Sequence, residues 1–378
     1  MYVTRRILQK TLVLITIVGL LCSPLYLKVD ASTEIPEKIT LEQAIQMALD
    51  NNFKLKSLNT KIDYADKNIA YANKQAELAY GKTWSTEEQQ VEILKERFLV
   101  PQQKVNIWKN LLLDKEQEIK AIKHDVTESY FKILIGQKNI IYNENNIERI
   151  EKDIEIKKEL LKTGNVTQET IDALNTNLVE AEKKLTEAER SFDSAKIDFN
   201  MAISVPFESS FELNTEIADD KGYIIDNVHE FAQKYITKDS SYIKALTAKS
   251  EVQLEYDIIR KNTQKQFDLL SDLQEQLLDR DSDIKKVADN IELTIANGYN
   301  DLLNLYDDIK INQYKYELSK KQADIYKIRL ELGQISQSAL NNKIAELDSL
   351  QIALEQSKTD YYLAVLKFKQ YDEEEVWH

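Results

Sequence analysis

The chain has 378 residues but only one cysteine, four prolines and seven glycines. A single cysteine leaves no disulfide to form within the chain. Glycine and proline are the residues a helix interior tolerates least, so their scarcity, with 30% charged residues, suits long helices. Basic charge is also short. Lys and Arg number 50 against 64 Asp and Glu, for a net charge of −14, and no Lys/Arg block interrupts that balance. Nucleic acid is therefore excluded as the main partner, since it requires a basic face. Histidines are three and scattered: His124, His229 and His378. No histidine, cysteine and aspartate cluster has metal-ligand spacing, and no phosphate loop, nucleophile elbow or paired-acid motif is present. The expectation is a protein with no metal, no cofactor and no enzymatic activity. What is abundant is apolar content, at 43%, which is ample for burial and excludes a disordered chain. The 19 tyrosines, among them Tyr314, Tyr316, Tyr361 and Tyr362, read as packing and seam residues.

The one long apolar run lies at the start, from Thr11 to Cys22, behind Arg5, Arg6 and Lys10. It is shorter than the roughly 20 residues of a membrane span and is followed by Val29-Asp30-Ala31, a small-residue cleavage pattern. Residues 1–31 are read as a secretory signal peptide, with an uncleaved anchor as the alternative. Leu21, before Cys22, is too large for a lipoprotein signal.

Beyond the leader the sequence repeats itself. Apolar residues recur every seven positions at Leu112, Ile119, Val126, Ile133, Ile140, Ile147, Ile154 and Leu161. A shift of 169 residues carries the later members onto Ala288, Ile295, Leu302, Ile309, Tyr316, Ala323 and Leu330. Downstream, Leu178, Leu185, Phe192 and Phe199 map likewise onto Leu347, Leu354, Tyr361 and Phe368, and Ala181, Ala188, Ala195 and Ala202 follow the first set by three. This is an internal duplication. A heptad held this long predicts all-α architecture of two tandem coiled-coil hairpins, because a single such helix cannot bury its stripe alone.

Two glycines sit at the same point of the repeat, Gly164 and Gly333. Each is expected to end a long helix in a left-handed conformation. Thr167 and Ser336, three residues on, can cap the returning helix, and Val166 and Ile335 are candidates for exposed tips. "ITLEQAIQMALDNN" predicts a short helix stopped at Asn51-Asn52, and a second helix runs to about Gly81. Pro101 is expected to separate a small helix, capped near Ser85-Thr86-Glu87-Glu88, from the long one. "VPFESSFELNTEI" alternates Phe211, Leu213, Thr215 and Ile217 and reads as a strand-like link. The predicted organisation is a signal peptide over 1–31, a first hairpin repeat over 32–204, an extended link over 205–222, a second hairpin repeat over 223–370 and an acidic tail over 371–378.

The opening "ITLEQAIQMALDNNFKLK", the tandem glycine-tipped hairpins and the "VPFESSFEL" link together resemble the TolC-type outer-membrane efflux family, over about Ile39 to Phe368. The resemblance implies a homotrimer whose hairpins form a hollow α-barrel. It also implies partners: a membrane-fusion adaptor docked on the tips and an inner-membrane pump behind it. Two departures stand out. The family carries two membrane β-strands per half between its second helix and its long one. Here the corresponding stretches, Gly81 to Asn106 and Thr263 to Val287, are charged and helical in pattern, so no transmembrane β-barrel is expected. Where the family tip often has an acid six residues past the glycine, this chain has Thr170 and Ala339, with Asp172 nearby. The reading is an exported export-duct component docking through Gly164, Val166, Thr167, Gly333, Ile335 and Ser336. The alternative is an envelope coiled-coil protein that has lost conduction.

Overall fold

The structure is a computed structural model that describes residues 38–214 and 222–371. The expected signal peptide, Thr215 and Ile217 of the link, and nearly all of the acidic tail lie outside the described residues. The first element is a two-residue strand, β1 (Lys38–Ile39), followed by α1 (Leu41–Asn51) and α2 (Phe53–Ala79). Thr40 opens α1 with a reciprocal capping box: its hydroxyl accepts from the Gln43 amide, and its own amide donates to the Gln43 side chain. Asn52 then closes α1 and caps α2, its side-chain oxygen accepting from the Leu55 amide at 2.9 Å.

Helix α3 (Glu87–Leu94) runs through a π-helical turn at Lys95–Leu99 into α4 (Val100–Lys162), so Pro101 does not separate two helices as expected. Pro101 stands in the first turn of α4, where its missing amide hydrogen costs least, and the wider π turn carries the chain past it. Helix α4 has 63 residues, about 95 Å at roughly 1.5 Å per residue. It returns through α5 (Gln168–Ala202), after which β2 (Glu212–Leu213) pairs in parallel with β1. Among its described residues the predicted link is thus a strand only at Glu212 and Leu213. Ser204 ends α5 at φ 58° and Pro206 follows, which turns the chain out of the helix and into that strand.

The second half repeats the plan with α6 (Val228–Ile236), α7 (Ser240–Asn262), α8 (Phe267–Glu331) and α9 (Gln337–Lys369). Asn227 caps α6, and Asp239 caps α7. The fold is all-α apart from the β1–β2 pair, and the described residues form no closed barrel. No described helix is long and apolar enough to cross a membrane.

Every position of the two heptad stripes is buried or half-buried except Leu112, which lies near the start of α4. The stripes meet within each half, where α4 packs against α5 and α8 against α9, and α9 also lies along α4. The four long helices are therefore in contact in the order α5, α4, α9, α8. In the second half the core gathers Ala232, Ile295, Leu302, Tyr361, Val365 and Phe368.

The two segments standing where the resemblance implies membrane strands are largely helical, as expected. The first is held mainly to α7: Lys95 pairs with Glu255 at 2.6 Å, and Asn106 donates to Glu251 at 2.7 Å. The Glu87 carboxylate accepts from the amides of Gln264 and Lys265, just before α8 begins. Val91, Ile259 and Leu273 form a small core beneath these contacts.

Candidate docking site at the hairpin tips

Each hairpin turns through the same backbone. After α4, the Gly164 amide donates to Leu161 at 3.0 Å and the Asn165 amide to Leu160 at 2.9 Å. After α8, Gly333 donates to Leu330 and Gln334 to Arg329, both at 2.9 Å. These paired bonds satisfy the last carbonyls of each helix and require a left-handed residue, which glycine supplies at φ 73° and 68°. Nothing lies within 4 Å of where a Cβ would stand on either glycine. Conformation, not crowding, sets the need for glycine at both tips.

The caps divide. Ser336 caps α9 as expected, its hydroxyl accepting from the Ala339 amide at 3.2 Å. Thr167 occupies the equivalent position before α5 but makes no cap bond; its hydroxyl lies 3.2 Å from that of Thr170. Thr163 adds a second donor to the Leu160 carbonyl at 2.9 Å, and its hydroxyl accepts from the Asn165 side chain. Val166 and Ile335 are half-buried rather than exposed. The apolar side chain that stands out at a tip is Leu332, 65% exposed, one residue before Gly333. Its counterpart in the first half is Thr163. One backbone therefore presents two chemistries, polar at the first tip and aliphatic at the second. Ile325 and Ile328, exposed on α8, extend the second.

Sequence reasoning missed two features. A pair of tyrosines, Tyr130 and Tyr299, separated by the 169-residue repeat, ties each long helix to the extended chain that begins its half. Tyr130 donates to the Asn214 carbonyl at 2.8 Å and lies 3.2 Å from that of Ile39, while Tyr299 accepts from the Ile225 amide at 3.0 Å. The repeat offset was the signal available for them. The structure also brings His124, Asp125 and Glu128 together on α4, with ligand atoms within 4.8 Å of one another, where no such grouping was expected. Helix geometry places i and i+4 on one face. Glu128 is already paired with Lys132 at 2.7 Å, and Asp125 faces solvent, as on any charged helix.

No protein-family model and no curated protein matches the sequence. Solved structures do match. The outer-membrane channel OprN superposes with a TM-score of 0.65 at 12% identity, over 88% of this chain and 89% of that one. VceC, an outer membrane protein of Vibrio cholerae, gives 0.61 at 11% identity, over 86% and 95%. The Campylobacter jejuni CmeC outer membrane channel gives 0.60 at 11% identity, over 86% and 84%. The fold is that of the TolC-type outer-membrane channels. The likeness spans both hairpin halves, so the resemblance drawn from the opening, the tips and the link holds at the level of architecture.

Proposed function

We propose that the protein is the duct component of an export system in the cell envelope. In this reading it is a homotrimer whose tandem hairpins close into a hollow helical barrel. The tips around Gly164, Val166, Thr167, Gly333, Ile335 and Ser336 dock a membrane-fusion adaptor, which connects the duct to an inner-membrane pump. The observation that carries the reading is the pair of matched hairpins, turned by identical backbone at both tips, within a fold shared with outer-membrane channels. The basic-apolar-small layout of residues 1–31 supports export.

A second reading has its own observation. The segments that would hold membrane strands are largely helical, and they are bonded to one another where Glu87 accepts from the amides of Gln264 and Lys265, which suits an envelope scaffold that no longer conducts. Light scattering and negative-stain imaging of the protein, purified after export with its own leader, separate the two. A trimer with a central lumen supports the duct. A monomer, or a dimer without a lumen, would leave the scaffold as the better account.

A further inference from the structure

Where α6 turns into α7, a cavity of about 330 Å³ lies between that corner, α8 and the residue Tyr371 just past α9. One side is a single face of α8, on which Ile295 is buried, Ile291 half-buried, and Asn290 and Thr294 exposed. Another side is aromatic. Tyr235 of α6 and Tyr371 meet edge to face with ring centroids 4.6 Å apart, and Phe368 packs on Tyr371 at 5.5 Å, so both rings are fixed in place. Asp239 completes the lining, and among the described residues there it is the only formally charged one. It also caps α7, but both cap bonds fall on one oxygen: Oδ1 accepts from the amides of Ser241 at 2.7 Å and Tyr242 at 3.4 Å. The helix end does not take up the second oxygen.

The duplication shows which of these groups the fold does not require. In the first half the cap between α1 and α2 is Asn52, a neutral amide, and the residue 169 positions before Tyr371 is Ala202. That corner folds with neither the carboxylate nor the ring. The second half carries both, and both face one cavity. After burial, the Asp239 charge is what raises the hydroxyls of Tyr235 and Tyr371, and Glu116 of α4 contributes at Tyr235, so the potential there is negative. Aromatic rings beside a carboxylate attract a cation that sheds water easily, as an alkyl-bearing ammonium does. Calcium takes roughly six to eight oxygen ligands, and a single carboxylate serves it poorly. The volume falls at the low end of the roughly 300–1,000 Å³ of small-molecule sites. We propose that this cavity binds a small organic ammonium ion, its charged centre beside Asp239 and the rings of Tyr235 and Tyr371, its alkyl groups on Ile291 and Ile295. One copy supplies every group, so the site stands whether or not the protein conducts.

Calorimetric titration of the full chain with choline chloride tests this. Saturable binding of one choline per chain is expected, with no binding of the uncharged analogue in which carbon replaces the nitrogen. Equal binding of that analogue would reveal an apolar hole indifferent to charge, and calcium competing as well as choline would reveal a carboxylate acting alone. Either result overturns the proposal, as does the absence of saturable binding by about 10 mM choline. Asp239→Asn keeps a cap of equal quality and is expected to weaken binding about tenfold or more. Tyr371→Leu should do the same, while Tyr371→Phe keeps the ring and should bind within about twofold of the original. Unchanged affinity in Asp239→Asn would put choline elsewhere on the chain and sink the site. The comparison of choline with its uncharged analogue needs no variant, so it decides the matter even if a substitution unfolds the corner.

Discussion

Tyr130 meets Phe199 edge to face, with ring centroids 5.9 Å apart and planes at 70°. One repeat later Tyr299 meets Phe368 in the same way, at 6.1 Å and 68°. Each pair joins a long helix to its returning partner, and each hydroxyl then reaches the extended chain opening that half. Phe199 is fully buried, so Phe199→Ala is expected to cost about 3–5 kcal/mol. Tyr130→Phe keeps the ring and loses only the hydroxyl bonds, for about 1 kcal/mol. Urea unfolding of the two variants measures both.

The tips and the end of α5 make opposite predictions about glycine. Gly164→Ala and Gly333→Ala place a Cβ on a left-handed residue with free space around it, so the cost is backbone strain of about 1–2 kcal/mol. That cost falls on the tip, and faster amide exchange at Asn165 and Gln334 is its readout. Ser204 already bears the strain at φ 58°, so Ser204→Gly is expected to raise the melting temperature.

The junction of the two halves contains a partly buried ion pair. Asp348→Ala leaves the Arg149 guanidinium without that carboxylate, and two of its nitrogens, Nε and Nη2, have no partner among the described residues. The expected loss is about 1–3 kcal/mol. Replacing both as Arg149→Leu with Asp348→Val, the residue types at the equivalent α8 and α5 positions, is expected to restore stability to within about 1 kcal/mol. Denaturant midpoints of the single and double variants decide this.

Alkaline pH tests the second-half core. Burial, chiefly, and then the nearby Asp239 carboxylate push the Tyr235 hydroxyl well above the ordinary tyrosine range and raise that of Tyr371 in the same direction. Their rings lie 4.6 Å apart. A folded pKa raised above the unfolded one gives stability that is whole below about pH 10 and is lost as pH rises toward the folded value. Denaturant midpoints at about pH 9 and about pH 11 should therefore fall apart. Tyr235→Phe is expected to narrow the gap.

The hairpins were legible in the sequence because a heptad stripe and a glycine stop are local signals, and the duplication doubled each of them. Gly164, Gly333 and Ser336 behave as their residue types dictate. Thr167 does not, because its hydroxyl meets that of Thr170 and not a backbone amide, a choice that no spacing rule encodes. Pro101 misled because a π turn is a matter of backbone accommodation that periodicity does not encode. Tyr130 depends on residues 84 and 91 positions away and the short strands on partners 174 positions away, which single-segment patterns do not register.

The unlike chemistry of the two tips has a consequence for counting. In any closed ring of copies, polar and aliphatic tips alternate around the rim, so the rim has twice as many tips as subunits but only as many true repeats as subunits. A partner that reads the aliphatic tip at Leu332 binds once per chain, and one that reads only the shared turn binds twice. The stoichiometry of a captured partner, one to one or two to one, therefore reports which feature it recognises.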